Sequence, residues 1–448
     1  MSRYFSPISP KLNIRLLPLA LALALGFSAS ASAQSLMDMY TAARGYDASY
    51  QSAKSQYDAT LAKAEQSSAL LLPTIGLSAS VSRTNQDIVS QQERSYGTQS
   101  ATLALSHPLY NPANASSYAQ GQKQYAFAQA QLTIAEQDLM VRVSQAYFDA
   151  LASADSLTFV KSQKAAVSEQ LAFAKRNFEV GTSTITDTRE AQARFDLVVA
   201  QELAADNDLL VKTLALTQLV GLPQTQPKAL LAPMVARPLE PADVNPWVDQ
   251  ALLNNPGLQQ LQIALDVAKL ETSKADAGHK PTLDLTGSYT AQNNNGTSTT
   301  VGDTRVNQAQ IGLTFKLPLF AGFAIQNRVK ETLALENKAR TDLEATQRTI
   351  AQSTRTAFYG VQSLQAQVKA FEAAEASSQS ALDANKLGYQ VGVRINIDVL
   401  NSQSQLFDTK AKLAKARYDV LMGGLKLRQA AGTLKPDDLL AVNAQLVP

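Results

Sequence analysis

Hydrophobic positions along this chain change their period twice and then repeat the sequence of changes. Leu36 to Ser68 holds no proline and a single glycine and is rich in Ala, Gln, Lys and Leu, which predicts a helix of moderate length. In Leu77 to Ser82 the apolar residues then fall on every second position, and Thr102 to Ser106 continues the style. A period of two is that of a strand with one apolar and one polar face. Gln122 to Val180 follows without Gly or Pro, and Asp187 to Val220 forms a shorter helical stretch after it. Trp247 to Ala277, with one Pro-Gly interruption near its start, restarts the cycle. Leu283, Leu285 and Tyr289 alternate with polar neighbours, as do Ile311, Leu313, Phe315 and Leu317. Phe323 to Leu387, with only Gly360 inside it, and Asp398 to Ala431 complete it.

The second cycle copies the first at roughly 210 residues' distance. Phe178-Glu179-Val180-Gly181 returns as Tyr389-Gln390-Val391-Gly392, and Pro108-Leu109-Tyr110 returns as Pro318-Leu319-Phe320. The expected organisation is a first repeat over 34–221, a Pro-rich linker over 222–246, a second repeat over 247–432 and a tail over 433–448. Polar, turn-rich loops are expected at Thr84 to Gly97 and Gln292 to Arg305. The linker and tail read as irregular segments that pack together as a belt around the helices.

The long helices would reach about 90–100 Å at 1.5 Å per residue, which places them in an elongated assembly. The shorter helices are about half as long, so two stacked end to end would match one long helix in a cylinder wall. Four strands of lipid-out, water-in character cannot close a barrel, for which about eight is the minimum. Open edges in hydrocarbon leave backbone groups unpaired, so several chains must share one barrel, and three would give twelve strands. The Ala-, Ser- and Gln-rich helices suit a thin wall with water inside better than a solid core.

Composition narrows this further. Residues 1–33 carry Arg3, Lys11 and Arg15, then an apolar run from Leu16 to Phe27, then Ala31-Ser32-Ala33, which reads as a signal peptide cut after Ala33. The whole chain is +2, and removing these three basic residues leaves a mature charge of about −1. A near-neutral chain lacks the basic face that nucleic acid requires. With no cysteine there is no disulfide framework, thiolate metal site or lipid-modified cysteine. No later stretch is long and apolar enough for a transmembrane helix.

The chain resembles the TolC family of outer-membrane efflux proteins over essentially its whole mature length. The residues that carry the resemblance are Ser68 to Pro73, Gly278 to Leu285, Leu317 to Gly322, and Gly388 to Arg394 running into Ile397-Asp398-Val399-Leu400. Asn254-Asn255-Pro256 matches the family's repeat-opening motif, whereas Gly45-Tyr46-Asp47 stands where Asn-Pro is usual in the first half. The resemblance implies an α+β membrane protein. Its homotrimer would have a twelve-strand transmembrane β-barrel in the outer-membrane lipid, a long α-helical periplasmic barrel and an iris-like inner end. It further implies a periplasmic adaptor (membrane fusion) protein and an inner-membrane transporter as partners, and no cofactor.

Gly181 and Gly392 close the two hairpins. Glycine there permits a positive φ, and by resemblance these tips also receive the adaptor. Asp398, just past the second tip, reads either as the N-cap of the return helix or, in a trimer, as a ring of three carboxylates at a constriction. The second aspartate ring usual in the family falls here on Asn401, so weaker cation selectivity is expected. Tyr389, Arg394, Thr186 and Asp187 match the family's gate contacts, with Tyr389 and Arg394 bonding to Asp187 and Thr186 when the tips are shut. The plainer reading of these four is a solvated surface. His107 and His279, the only histidines, lie close before prolines and form no ligand set at metal spacing. Trp247 reads as packing, and no phosphate loop, nucleophile elbow or zinc pair occurs. The rivals to a channel are a periplasmic coiled-coil adaptor or structural envelope protein, which would lack lipid-facing strands, and an exported enzyme, which would need a polar site the sequence does not offer.

Overall fold

The computed structural model describes residues 33–87, 93–231 and 238–447. The expected leader lies outside the described residues apart from Ala33, as do parts of the first strand loop and of the linker. Each half runs through the same elements. The first has helices α1 (Leu36–Tyr46) and α2 (Ala48–Gln66), strands β1 (Thr74–Gln86) and β2 (Arg94–Tyr110), a long helix α3 (Pro112–Glu179) and its return α4 (Ile185–Val220). The second has α5 (Val244–Asn254), α6 (Pro256–Asp276), β3 (Thr282–Asn295), β4 (Asp303–Lys316), α7 (Ala324–Gln390) and α8 (Asn396–Ala430), and a last short helix α9 (Pro436–Asn443) follows.

The long helices have 68 and 67 residues, about 100 Å each. Along one half α3 packs against α2 and α6, and along the other against α4 and α8. Tyr57 meets Tyr125 in the first region (hydroxyls 3.1 Å apart), and Lys164 meets Glu202 at 2.5 Å in the second. Short helices therefore line up beside long ones, as the sequence leads one to expect.

Three details differ from the sequence reading. The opening helix of the first half is broken at Asp47, just as that of the second is broken at Asn255 before the Pro-Gly interruption. Both residues share one backbone conformation (φ −59, ψ 116 and φ −65, ψ 119) and cap the helix that follows with their side chains. The Asp47 carboxylate accepts from Tyr50 N at 2.8 Å and forms a two-pronged bond with Arg142 at 2.9 and 3.0 Å. Asp47 thus does the capping that Asn255 does in the second half, and its departure from the motif is chemically conservative. The strands run well into the segments expected as loops, because Asn, Ser and Thr there still pair backbone to backbone. The tail holds α9, started by Pro436 and with Leu439 and Val442 buried. Linker and tail do meet: Leu231 N donates to Gln445 O at 2.9 Å and Val447 N to Ala229 O at 2.8 Å.

The main core lies midway along the long helices. Tyr147, Phe148, Leu139 and Val143 of α3 pack there with Leu36, Met39 and Tyr40 of α1, Leu216 and Val220 of α4, and Leu421 and Leu425 of α8. Among the described residues no helix is long and apolar enough to cross a membrane.

The four strands form one antiparallel sheet in the order β1-β2-β3-β4. Pairings such as Leu77 with Leu103, Leu103 with Tyr289, and Leu285 with Leu313 join odd-numbered residues to odd-numbered residues, up to the register shift at Pro108 and Tyr110. Successive side chains point to opposite faces. One face therefore gathers Ile75, Leu77, Val81, Leu103, Tyr289, Ile311, Leu313 and Phe315, and these are exposed, Leu77 at 77% and Ile311 at 79%. The other face carries hydroxyls that bond across the strands, Ser80 to Ser100 at 2.8 Å and Thr102 to Thr290 at 3.0 Å. From Ala309 to Phe315 the apolar band rises about 20 Å along the strand. Exposed Tyr110, Phe320 and Phe323 lie at the end where the strands meet the helices, and the far ends of the apolar face turn polar at Arg83, Asn85, Asp303 and Arg305. Among the described residues β1 and β4 each keep one edge without a partner strand.

Candidate functional site

The two helical hairpins end in the same backbone reversal. Gly181 and Gly392 both take φ 79. At the first tip Gly181 N donates to Phe178 O at 3.0 Å and Thr182 N to Asn177 O at 2.9 Å; at the second, Gly392 N donates to Tyr389 O at 3.2 Å and Val393 N to Gly388 O at 2.8 Å. This pair of bonds satisfies the last carbonyls of a helix and requires a left-handed residue, which glycine supplies without strain. A Cβ added to either glycine would meet nothing within 4 Å, so their bare backbone faces open space. Gly388 acts through close approach instead. A Cβ there would stand 2.7 Å from Arg394 Cγ, so the missing side chain lets Arg394 fold back over α7.

The return helices start differently. Thr184 caps α4, and Asp187 completes a capping box. Asp187 N donates to Thr184 Oγ1 at 3.2 Å, and the Asp187 carboxylate accepts from Ser183 Oγ at 2.8 Å, Thr184 Oγ1 at 2.9 Å and Thr184 N at 3.1 Å. Burial pushes this carboxyl upward, but the bonds from Ser183 and Thr184 outweigh it and hold it below the usual carboxylate range. In the second hairpin the N-cap is Ile395, which makes no side-chain cap bond. Asp398 is therefore not the N-cap that one sequence reading proposed. It stands three residues inside the cap, half-buried, with its carboxylate 3.7 Å from Arg394 Nη1.

Of the expected gate residues, Arg394 meets Asp398, the residue expected at the constriction, and not the gate partners Thr186 and Asp187. Tyr389 sits edge-on to Phe173 of α3, with ring centroids 5.8 Å apart. Among the described residues neither Tyr389 nor Arg394 bonds to Thr186 or Asp187 within one chain; the capping-box bonds to the Asp187 carboxylate fall on Oδ2. Thr186 is exposed.

What joins the hairpins is a set of residues to which the sequence reading gave no such role. Leu400 of α8 is fully buried in the first hairpin's cluster with Val167, Leu171, Ala174, Ala191 and Val198. Asn396, also fully buried, accepts from Gln170 of α3 and donates to Asp187 O at 3.4 Å. Gln163 donates to Ser404 Oγ at 3.2 Å and Arg194 to Asn401 Oδ1 at 2.7 Å. The Thr184-x-x-Asp187 box was visible as a motif. The cross-hairpin bonds had no such signal, since isolated Asn and Gln on a helix read as solvated. Among the described residues no group of three or more His, Cys, Asp or Glu could hold a metal ion.

Comparison with known proteins places this architecture. The family model described as "Outer membrane efflux protein" matches residues 39–222 and again 247–433. The chain is 34% identical over 414 residues to the outer membrane protein TolC of Vibrio cholerae, covering 92% of this chain and 94% of that one. It is 32% identical to the alkaline protease secretion protein AprF of Pseudomonas aeruginosa, covering 92% of this chain and 87% of that one. Among solved structures its fold is similar to CusC, with a TM-score of 0.79 and 18% identity over 89% of this chain and 92% of that chain. It is also similar to the outer membrane protein VceC of Vibrio cholerae, with a TM-score of 0.75 and 19% identity over 89% of this chain and 96% of that one. A twice-matched model and TolC-like sequence along nearly all of its length show that the chain belongs to the outer membrane efflux protein family, as a TolC-type outer-membrane duct.

Proposed function

We propose that three copies of this chain close a twelve-strand barrel in the outer membrane and a helical tunnel below it, forming the exit duct of an efflux pump or type I secretion system. The observation that carries this reading is the sheet: an exposed apolar face, a hydroxyl-lined opposite face and two unpaired edges. In lipid those edges cost several kcal/mol for each unpaired group, and further copies remove them. The reading of a periplasmic coiled-coil adaptor or structural envelope protein is not favoured, since neither needs a lipid-facing sheet. The chain then supplies no chemistry of its own. Substrates pass through water, and the energy comes from an inner-membrane transporter docked through a periplasmic adaptor at the tips, where Gly181 and Gly392 present bare backbone.

The same reading assigns the tips the part of a gate. Three Asp398 carboxylates would ring the inner mouth. Arg394 and Tyr389 would reach Thr186 and Asp187 of a neighbouring copy when the mouth is shut. Such contacts are modest when hydrated, which suits a latch that a docking partner undoes. Purified oligomer in planar bilayers tests it. The expected result is a small, steady conductance that Arg394→Ser and Tyr389→Phe each raise, with ion preference altered by Asp398→Asn. No conductance in any variant would refute the duct, and unchanged conductance in the two latch variants would refute the latch.

A further inference from the structure

We infer that Arg194 tunes the charge preference of the duct's inner mouth, by adding to each copy a guanidinium held by an amide and not by an ion pair. This rests on the proposed position of Asp398 at the constriction. Asp398 and Asn401 lie three residues apart at the start of α8 and so share one face of that helix. Arg194 of α4 extends to this face and places Nη2 2.7 Å from Asn401 Oδ1. Side chains of a helix lean toward its N-terminus. Both return helices begin at the tip, so the lean carries the guanidinium of Arg194 tipward, to the level of α8's first turns.

Asn401 supplies Arg194 with an acceptor but no charge. An amide oxygen fixes the guanidinium in place and leaves its positive charge intact. Among the described residues Arg194 makes no ion pair, and Glu190, one turn tipward on the same face of α4, is among the carboxylates it does not reach. Asp398 is itself shared with Arg394 at 3.7 Å. Asp398, Arg394 and Arg194 thus bring one carboxylate and two guanidinium ions per copy to the face around Asn401, and in a three-fold assembly each becomes a ring. A ring of carboxylates favours cations, and a ring of arginines favours anions. The mouth therefore favours cations far less than its Asp398 ring alone would make it.

Reversal potentials of the purified oligomer across a KCl gradient test this directly. Arg194→Gln is expected to raise the K+ over Cl− permeability ratio about two- to fivefold, as is Asn401→Asp, which gives the guanidinium a counter-charge. Arg194→Lys is expected to keep the ratio of the unaltered protein, which separates charge from packing. Because the chain has no cysteine, Arg194→Cys can be labelled alone. A cationic thiol reagent should restore the original ratio and an anionic one should raise it further. If Asp398→Asn lowers the ratio while every change at Arg194 leaves it fixed, the constriction stands and the role of Arg194 is wrong. If neither position moves the ratio in a conducting oligomer, the proposed mouth falls as well.

Discussion

The two hairpin tips share a backbone and differ in what becomes of the same carboxylate. At the first, Ser183 and Thr184 bond Asp187 and fix it as the third residue of a capped helix. At the second, Arg394 and Ile395 stand at the equivalent places, so neither supplies a hydroxyl to the Asp398 carboxylate, which is left to a long contact with Arg394. The first tip is a finished helix start. The second has an unsatisfied one, and it leans on its neighbour through Leu400 and Asn396. One return helix is thus capped by its own side chains, and the other has no side-chain cap and is held through contacts with its neighbour. A moving element is expected to be drawn from the less self-sufficient part of a structure.

That contrast can be broken by design. Leu400→Ala should have the largest effect, since it empties a buried site in the first hairpin's cluster and costs about 3 kcal/mol. The expected readout is a several-fold rise in resting conductance and protease cleavage at the second tip. Asn396→Ala should act in the same direction with about 1–3 kcal/mol, by leaving Gln170 without its partner in a buried site. Hydrogen exchange of the first turns of α8 should rise in both variants, with that of α4 little changed. Exchanging the caps sharpens the comparison. Thr184→Ala should destabilise the start of α4 by about 1 kcal/mol, whereas Ile395→Thr should build a box around Asp398 and steady α8 by a similar amount. Bilayer recording should then show Asp398 contributing less to ion preference in Ile395→Thr.

The smallest expected effect is on pH. Asp187 is held below the usual carboxylate range. Its contribution to the first tip is therefore complete above about pH 4, the ordinary carboxylate value, and is lost as pH falls through the lower folded value. Amide protection at the start of α4 should fall over that acid window, and Ser183→Ala with Thr184→Ala should largely abolish the dependence.

The strands and long helices were legible because each carries a strict period over many residues, and the parity of Leu77, Leu103, Tyr289 and Ile311 survives in the pairing. The break at Asp47 was less so, since an aspartate inside a helix-forming run signals a cap only once Tyr50 and Arg142 are seen to meet it. α9 was hidden in a short tail whose helix is held by packing of Leu439 and Val442 more than by propensity. At the tips, the glycine turns and the Thr184-x-x-Asp187 box could be read along the chain. Asn396, Leu400 and Arg194 could not, because their partners lie in the other hairpin, and contacts between distant segments leave no mark on local spacing.

The central claim is that the four-stranded sheet is a fragment closed by identical copies. In a chain free of cysteine, one cysteine scanned along the outer edge of β1 and another along that of β4 test it most directly by oxidation in membranes. The account expects pairs in register to yield covalently linked trimers that stop at three chains. Cross-linking only within single chains, none at all, or a ladder continuing beyond three would contradict it.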